Sequence, residues 1–76
     1  MIDRRDRQTA LLVMLKAWQA YGTAPFAVNP KGPRWDPLRD AERLGWASFV
    51  GERCRLTAAG LRELAPWRGD QGEAAD

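Results

Sequence analysis

Arginine is the commonest side chain able to do chemistry in this 76-residue chain, and the spacing of the arginines suits contact with negative charge better than bond making. Arg39 and Arg43 stand four apart, the interval that puts two side chains on one face of a helix. Arg53 and Arg55 stand two apart, the interval that puts two side chains on one face of a strand. Lys31 and Arg34 precede the first pair. A guanidinium is a planar fork of donors that matches phosphate oxygens and the guanine edge. The groups that make and break bonds are scarce. There is no histidine and a single cysteine, Cys54. That excludes a serine–histidine or cysteine–histidine pair, an internal disulfide and the usual structural zinc sets. Asp40 and Glu42 are two apart on an expected helix, so they do not share a face as a catalytic carboxylate pair would. No glycine-rich phosphate loop is present. The expectation is a binding protein, not an enzyme, with no cofactor and no metal.

Charge supports a polyanionic or acidic partner only mildly. The net charge is +2, but Asp70, Glu73 and Asp76 lie in a C-terminal stretch without a base, so residues 1–69 carry twelve bases against seven acids, a net of +5. Strong DNA binders tend to be more basic. Ten of the twelve bases are arginine, which also follows from a GC-rich coding sequence. A chain of this length holds one domain with one small core, worth roughly 3–5 kcal/mol. The apolar run from Ala10 to Leu15 is too short to span a bilayer, and Asp3 and Asp6 occupy what would be the basic region of a signal sequence. A cytoplasmic protein is expected, with no membrane partner.

The elements that must position these side chains follow from caps and periodicity. Residues 3–21 read as a first helix, capped by Asp3 or Asp6 and stopped by Gly22. Leu11, Met14, Leu15, Trp18 and Tyr21 recur at helical spacing, widened by Leu12 and Val13, and a homodimer could form through this long helix. Residues 22–35 hold Pro25, Pro30 and Pro33, which forbid an uninterrupted helix. Within them, Phe26, Ala27 and Val28 suit a third short strand, and Asn29-Pro30-Lys31-Gly32 is a turn signal. A second helix is expected over 36–44, capped by Asp36, with Pro37 in its first position, Gly45 as its stop, and Leu38, Ala41 and Leu44 facing inward.

Residues 46–57 read as a β-hairpin with a two-residue type II′ loop, Gly51-Glu52. That loop pairs Val50 with Arg53, Phe49 with Cys54, Ser48 with Arg55 and Ala47 with Leu56. Ala47, Phe49, Cys54 and Leu56 then share an apolar face, with Cys54 a small buried hydrophobe. Trp46, Ser48, Val50, Arg53 and Arg55 share the other, whereas a one-residue slip would mix the two. Thr57 caps a third helix, 58–65, although Gly60 stands where a capping box wants Glu or Gln. Leu61 and Leu64 point to the core, Pro66 ends the helix, and Trp67 folds back over it. The domain is expected to end at 69, with 70–76 a disordered acidic tail.

In this order the segment PLRDAERLGWASFVGERCRLTAAGLREL, residues 37–64, resembles the second half of a winged-helix domain of the multiple-antibiotic-resistance regulators. The resemblance lies in Leu44-Gly45-Trp46 at the end of a helix, the Gly51-Glu52 wing tip, and Arg55-Leu56-Thr57-Ala58-Ala59-Gly60 followed by Leu64. It implies a small winged-helix-like α+β domain of three helices and a β-hairpin wing. By position, helix 36–44 would be the recognition helix, with Arg34, Arg39 and Arg43 near DNA and the wing arginines Arg53 and Arg55 on phosphates or an adjacent groove. Lys31 would join them. The family also has a further helix before the recognition helix, where this chain has its proline-rich segment, so the helix-turn-helix looks truncated unless 22–35 contains a short helix.

Two functions fit these residues. One is a small winged-helix-like DNA-binding transcriptional regulator contacting duplex DNA through helix 36–44 and the 46–57 wing. The alternative is a protein-binding module without DNA activity, such as a small phage or mobile-element inhibitor of the anti-CRISPR kind, acting through Trp46, Arg53 and Arg55 with Trp35 as a further partner-binding residue. For Arg39 and Arg43, ion pairing with Asp40 and Glu42 on a solvated face competes with contact to nucleic acid. For Trp46, packing onto the proline-rich segment competes with exposure.

Overall fold

A computed structural model describes residues 2–67; the expected acidic tail and the boundary at 69 lie outside them. Helix α1 runs Arg4–Tyr21. The Asp3 carboxylate caps it by accepting the Asp6 N–H at 2.9 Å, and Gly22 closes it by donating its N–H to the Trp18 carbonyl at 2.8 Å. The buried line of α1 is Ala10, Met14 and Ala17, with Leu11, Val13, Leu15 and Trp18 half-buried. This corrects the expected stripe, because Leu12 is 58% exposed and Tyr21 is also exposed. α1 packs chiefly on the second helix and more lightly on the third. Two alanines on its inner side let the neighbouring backbones approach closely, so fit rather than side-chain size picks the seam.

After α1, strand β1 is Phe26–Ala27. The following residues form turns: the Asn29 carbonyl accepts the Gly32 N–H at 2.9 Å, and the Asn29 side chain accepts the Lys31 N–H at 3.0 Å. No helix lies between α1 and the second helix, so the short helix that 22–35 would need for a complete helix-turn-helix is absent.

Helix α2 runs Trp35–Arg43, one residue earlier than expected. Asp36 is inside the helix, and Arg34 in the cap position makes no side-chain capping bond. The turns before α2 feed directly into it, with Trp35 donating to the Gly32 carbonyl and Leu38 to that of Arg34. Pro37 falls within the first turn, where an N–H has no partner inside the helix and its loss is tolerated. Leu38 and Ala41 are buried and Leu44 is half-buried, as the periodicity required.

Strands β2 (Ala47–Val50) and β3 (Arg53–Leu56) form the hairpin in the expected register, Ala47–Leu56, Ser48–Arg55, Phe49–Cys54 and Val50–Arg53. Gly51 has φ +62° and Glu52 does not have a positive φ, as a type II′ loop demands. β1 adds antiparallel to the other side of β3, pairing Phe26 with Cys54, so the sheet order is β1-β3-β2.

Helix α3 is Ala58–Leu64, capped by Thr57. The Thr57 hydroxyl donates to the Gly45 carbonyl at 2.6 Å and accepts the Gly60 N–H at 3.1 Å, tying helix start, sheet end and the α2 exit at one atom. The missing half of the capping box has a steric cause: a Cβ on Gly60 would run into the Trp46 carbonyl. The core joins Met14, Leu38, Cys54 and Leu64, all fully enclosed, to Phe26, Val28, Trp46, Ala47 and Leu56. Among the described residues the architecture is α+β, three helices with a three-stranded antiparallel sheet, and is compatible with a small winged-helix-like domain.

Candidate nucleic-acid interface

The alternation of β3 buries Cys54 and Leu56 and turns Arg53 and Arg55 outward, where both are exposed. At a rise of about 3.4 Å per residue the two guanidinium stems leave the strand roughly 7 Å apart. Their cross-strand neighbours are uncharged: Ala27 and Val50 flank Arg53, and Ser48 faces Arg55. Among the described residues, neither arginine makes an ion pair. Val50 is 80% exposed on the same face. The wing thus offers two cations, unpaired among the described residues, beside a small apolar spot, with Pro25 and Ser48 edging a shallow depression.

The arginines of α2 are differently placed. Arg39 Nε lies 3.0 Å from the Glu42 carboxylate, and its guanidinium stands 5.5 Å from the centre of the Trp35 ring and 5.2 Å from that of Phe49. Arg43 Nη1 donates to Asp40 Oδ1 at 3.0 Å. Both expected DNA-contacting residues of this helix are therefore paired by acids three residues away. Such exposed pairs add little stability, about 0.3–0.5 kcal/mol each, but they cancel charge on the face a groove would meet.

Lys31 and Arg34 are exposed in the turns leading into α2. This segment is fastened to the wing tip by the Val28 N–H, which donates to the Glu52 carbonyl at 2.8 Å. Lys31, three residues past that bond, and Arg53, paired with Ala27, thus leave neighbouring parts of the chain. Glu52 at the tip is the one acid of the wing.

Trp46 does not share the outward face. It is 5% exposed, which corrects the expectation of an accessible indole among the wing arginines. The paired strands begin only at Ala47. At the bend before them Trp46 donates its N–H to the Ala41 carbonyl and accepts the Thr57 N–H. Its ring lies 5.5 Å beneath the Arg7 guanidinium of α1. Trp35 is half-buried, edge-on to Phe49 at 5.2 Å, and closes the core below the wing.

Cys54 is fully enclosed at the centre of the sheet. Burial, helped by the negative charge of Glu42, pushes its thiol up from 9.0 to about 11. The unfolded thiol ionises first, so its contribution to stability is intact below about pH 9 and lost as pH rises towards 11, a decline of roughly 2–3 kcal/mol. Urea midpoints taken from pH 8 to pH 11 should fall more steeply for the wild type than for Cys54→Ala. Equal slopes would mean that the thiol ionises freely in the folded chain.

Arg7 carried no signal in the sequence, because its partner Trp46 is remote along the chain. With Ile2, Asp6, Asp40, Arg43 and Leu44 it borders an open cleft between the start of α1 and the end of α2. The two acids there balance the two bases. Among the described residues no polar or charged side chain is buried, and no helix is long and apolar enough to cross a membrane. Comparison with protein-family models, curated proteins and solved structures finds no match to this chain.

Proposed function

We propose that this is a small winged-helix-like DNA-binding protein, a regulator of transcription, that holds duplex DNA mainly by its phosphates and mainly through the wing. The observation that carries this is the pair Arg53 and Arg55, exposed on one strand face, free of acids across the strands and, among the described residues, without ion-pair partners. Lys31 and Arg34 extend the cationic surface, and the resemblance of residues 37–64 to the multiple-antibiotic-resistance regulators supports the choice of DNA. Because Arg39 and Arg43 are paired to Glu42 and Asp40, α2 contributes less to base recognition than its position would suggest, and the expected mode is backbone contact with modest sequence preference. A protein-docking role centred on Trp46 has no exposed indole to anchor it.

Anisotropy of labelled mixed-sequence duplex, titrated at low and near-physiological salt, tests this. Binding should weaken steeply with salt, since each neutralised phosphate adds about 0.9 to the log–log slope. Arg53→Ala with Arg55→Ala should lower that slope by about 2 and weaken binding on every sequence alike. No binding at low salt, or a double variant indistinguishable from wild type, would remove the wing from any role in holding DNA.

A further inference from the structure

The outward side of α1 is built to meet another helix. Arg5, Gln8, Leu12, Leu15 and Gln19 follow one another at alternating intervals of three and four, the spacing of a coiled-coil seam. Leu12 is well exposed and Leu15 half-exposed, while Gln8 and Gln19 are exposed at the two ends. Leu11 and Trp67 border the same seam as a shallow apolar groove. Among the described residues, no other element covers it.

We propose that this face docks antiparallel on α1 of a second copy of this chain, with Leu12 against Leu15 of the copy and Gln8 against Gln19 of the copy. The pattern is self-complementary, as a two-fold interface requires. Leucine meets leucine at the centre, and at each end two amides meet that can both donate and accept. The same register sets Thr9 opposite Lys16, so no like charges face each other. A parallel pair would instead stack Arg5 on Arg5. The helix ends favour the same choice. The last turn of α1 has no basic residue of its own, and the antiparallel register brings Arg4 and Arg5 of the copy to that negative end of the helix dipole.

An 18-residue helix is about 27 Å long. A contact along it covers on the order of 1,000 Å² in total, at the low end of specific interfaces. The dimer is therefore weak and concentration-dependent. It stands apart from the DNA proposal, since the wing arginines take no part in it.

Sedimentation equilibrium of the full chain, from about 5 to about 500 µM, spans the micromolar affinities such a surface supports. The weight-average mass should climb from 8.6 kDa towards twice that value. Leu12→Glu should stay monomeric throughout and keep the wild-type urea midpoint, because that side chain is exposed and glutamate is a good helix former. For orientation, Gln8→Cys and Gln19→Cys proteins are mixed and oxidised. Cys54 is fully enclosed and stays out of the reaction. A Gln8→Cys to Gln19→Cys cross-link is expected, with little linkage within either variant alone. A wild type that stays monomeric, a Leu12→Glu protein that still dimerises, or cross-linking of Gln8→Cys to itself would each overturn the proposal.

Discussion

Gly60→Ala is expected to remove a large part of the domain's stability, although alanine is the better helix former. Gly60 sits in the first turn of α3 with its N–H on the Thr57 hydroxyl. A Cβ there would collide with the Trp46 carbonyl oxygen and press on the Met14 methyl at 3.1 Å. The carbonyl cannot move aside. It accepts the Thr57 N–H at 3.0 Å while the Trp46 N–H donates to Ala41 at 2.8 Å, so any shift loosens the exits of both α2 and the sheet. Overpacking usually costs about 1–3 kcal/mol where side chains can yield; against fixed backbone the cost lies at or above that range. Relief from the glycine penalty in a helix returns only about 1 kcal/mol. The remainder is a large part of the roughly 3–5 kcal/mol that so small a core supplies. Circular dichroism on urea titration would show it, with Ala59→Gly, one residue away and exposed, losing only about 1 kcal/mol. A Gly60→Ala midpoint at or above the wild-type value would mean that α3 does not approach the Trp46 backbone this closely.

Trp46→Ala is the second large effect, and it separates two roles for this indole. A docking anchor would lose affinity for a partner and leave stability alone. A buried tryptophan at 5% exposure loses its transfer free energy and leaves a cavity, together about 3–5 kcal/mol, which is again near the whole stability of the domain. The ring also supports the Arg7 guanidinium, so its removal loosens the start of α1. Trp46→Phe keeps part of the packing and should remain folded with a lowered melting temperature. If Trp46→Ala melts with the wild type, the indole is not part of the core, and a docking role for it returns.

The hairpin was legible because its rules act over a few residues. A two-residue loop opening with Gly51 selects one turn type, and strict alternation then sorts Phe49 and Cys54 from Ser48 and Arg55. The same holds for the Asp3 and Thr57 caps, the stops at Gly22 and Gly45, and the short strand at Phe26. These features place Arg53 and Arg55 on an exposed face without any knowledge of what lies beneath it.

Other features depended on partners far along the chain. Alternation placed Trp46 outside, but the paired strands begin only after it, and its fate was decided by Arg7, Ala41 and Thr57 meeting at one bend. The apolar content of α1 was plain, yet several faces of that helix could have been buried; Ala10 and Ala17 went inside because neighbouring elements come close there, and Leu12 was left out. Asp36 had the chemistry of a cap, but the turns after Asn29 wound into the helix before reaching it. The sequence by itself determined the elements, the strand register and the exposed wing arginines, because caps, turns and alternation are local. Only the tertiary structure decided which aromatic rings close the core and which face of α1 the other described elements leave uncovered, because those depend on how packed surfaces fit.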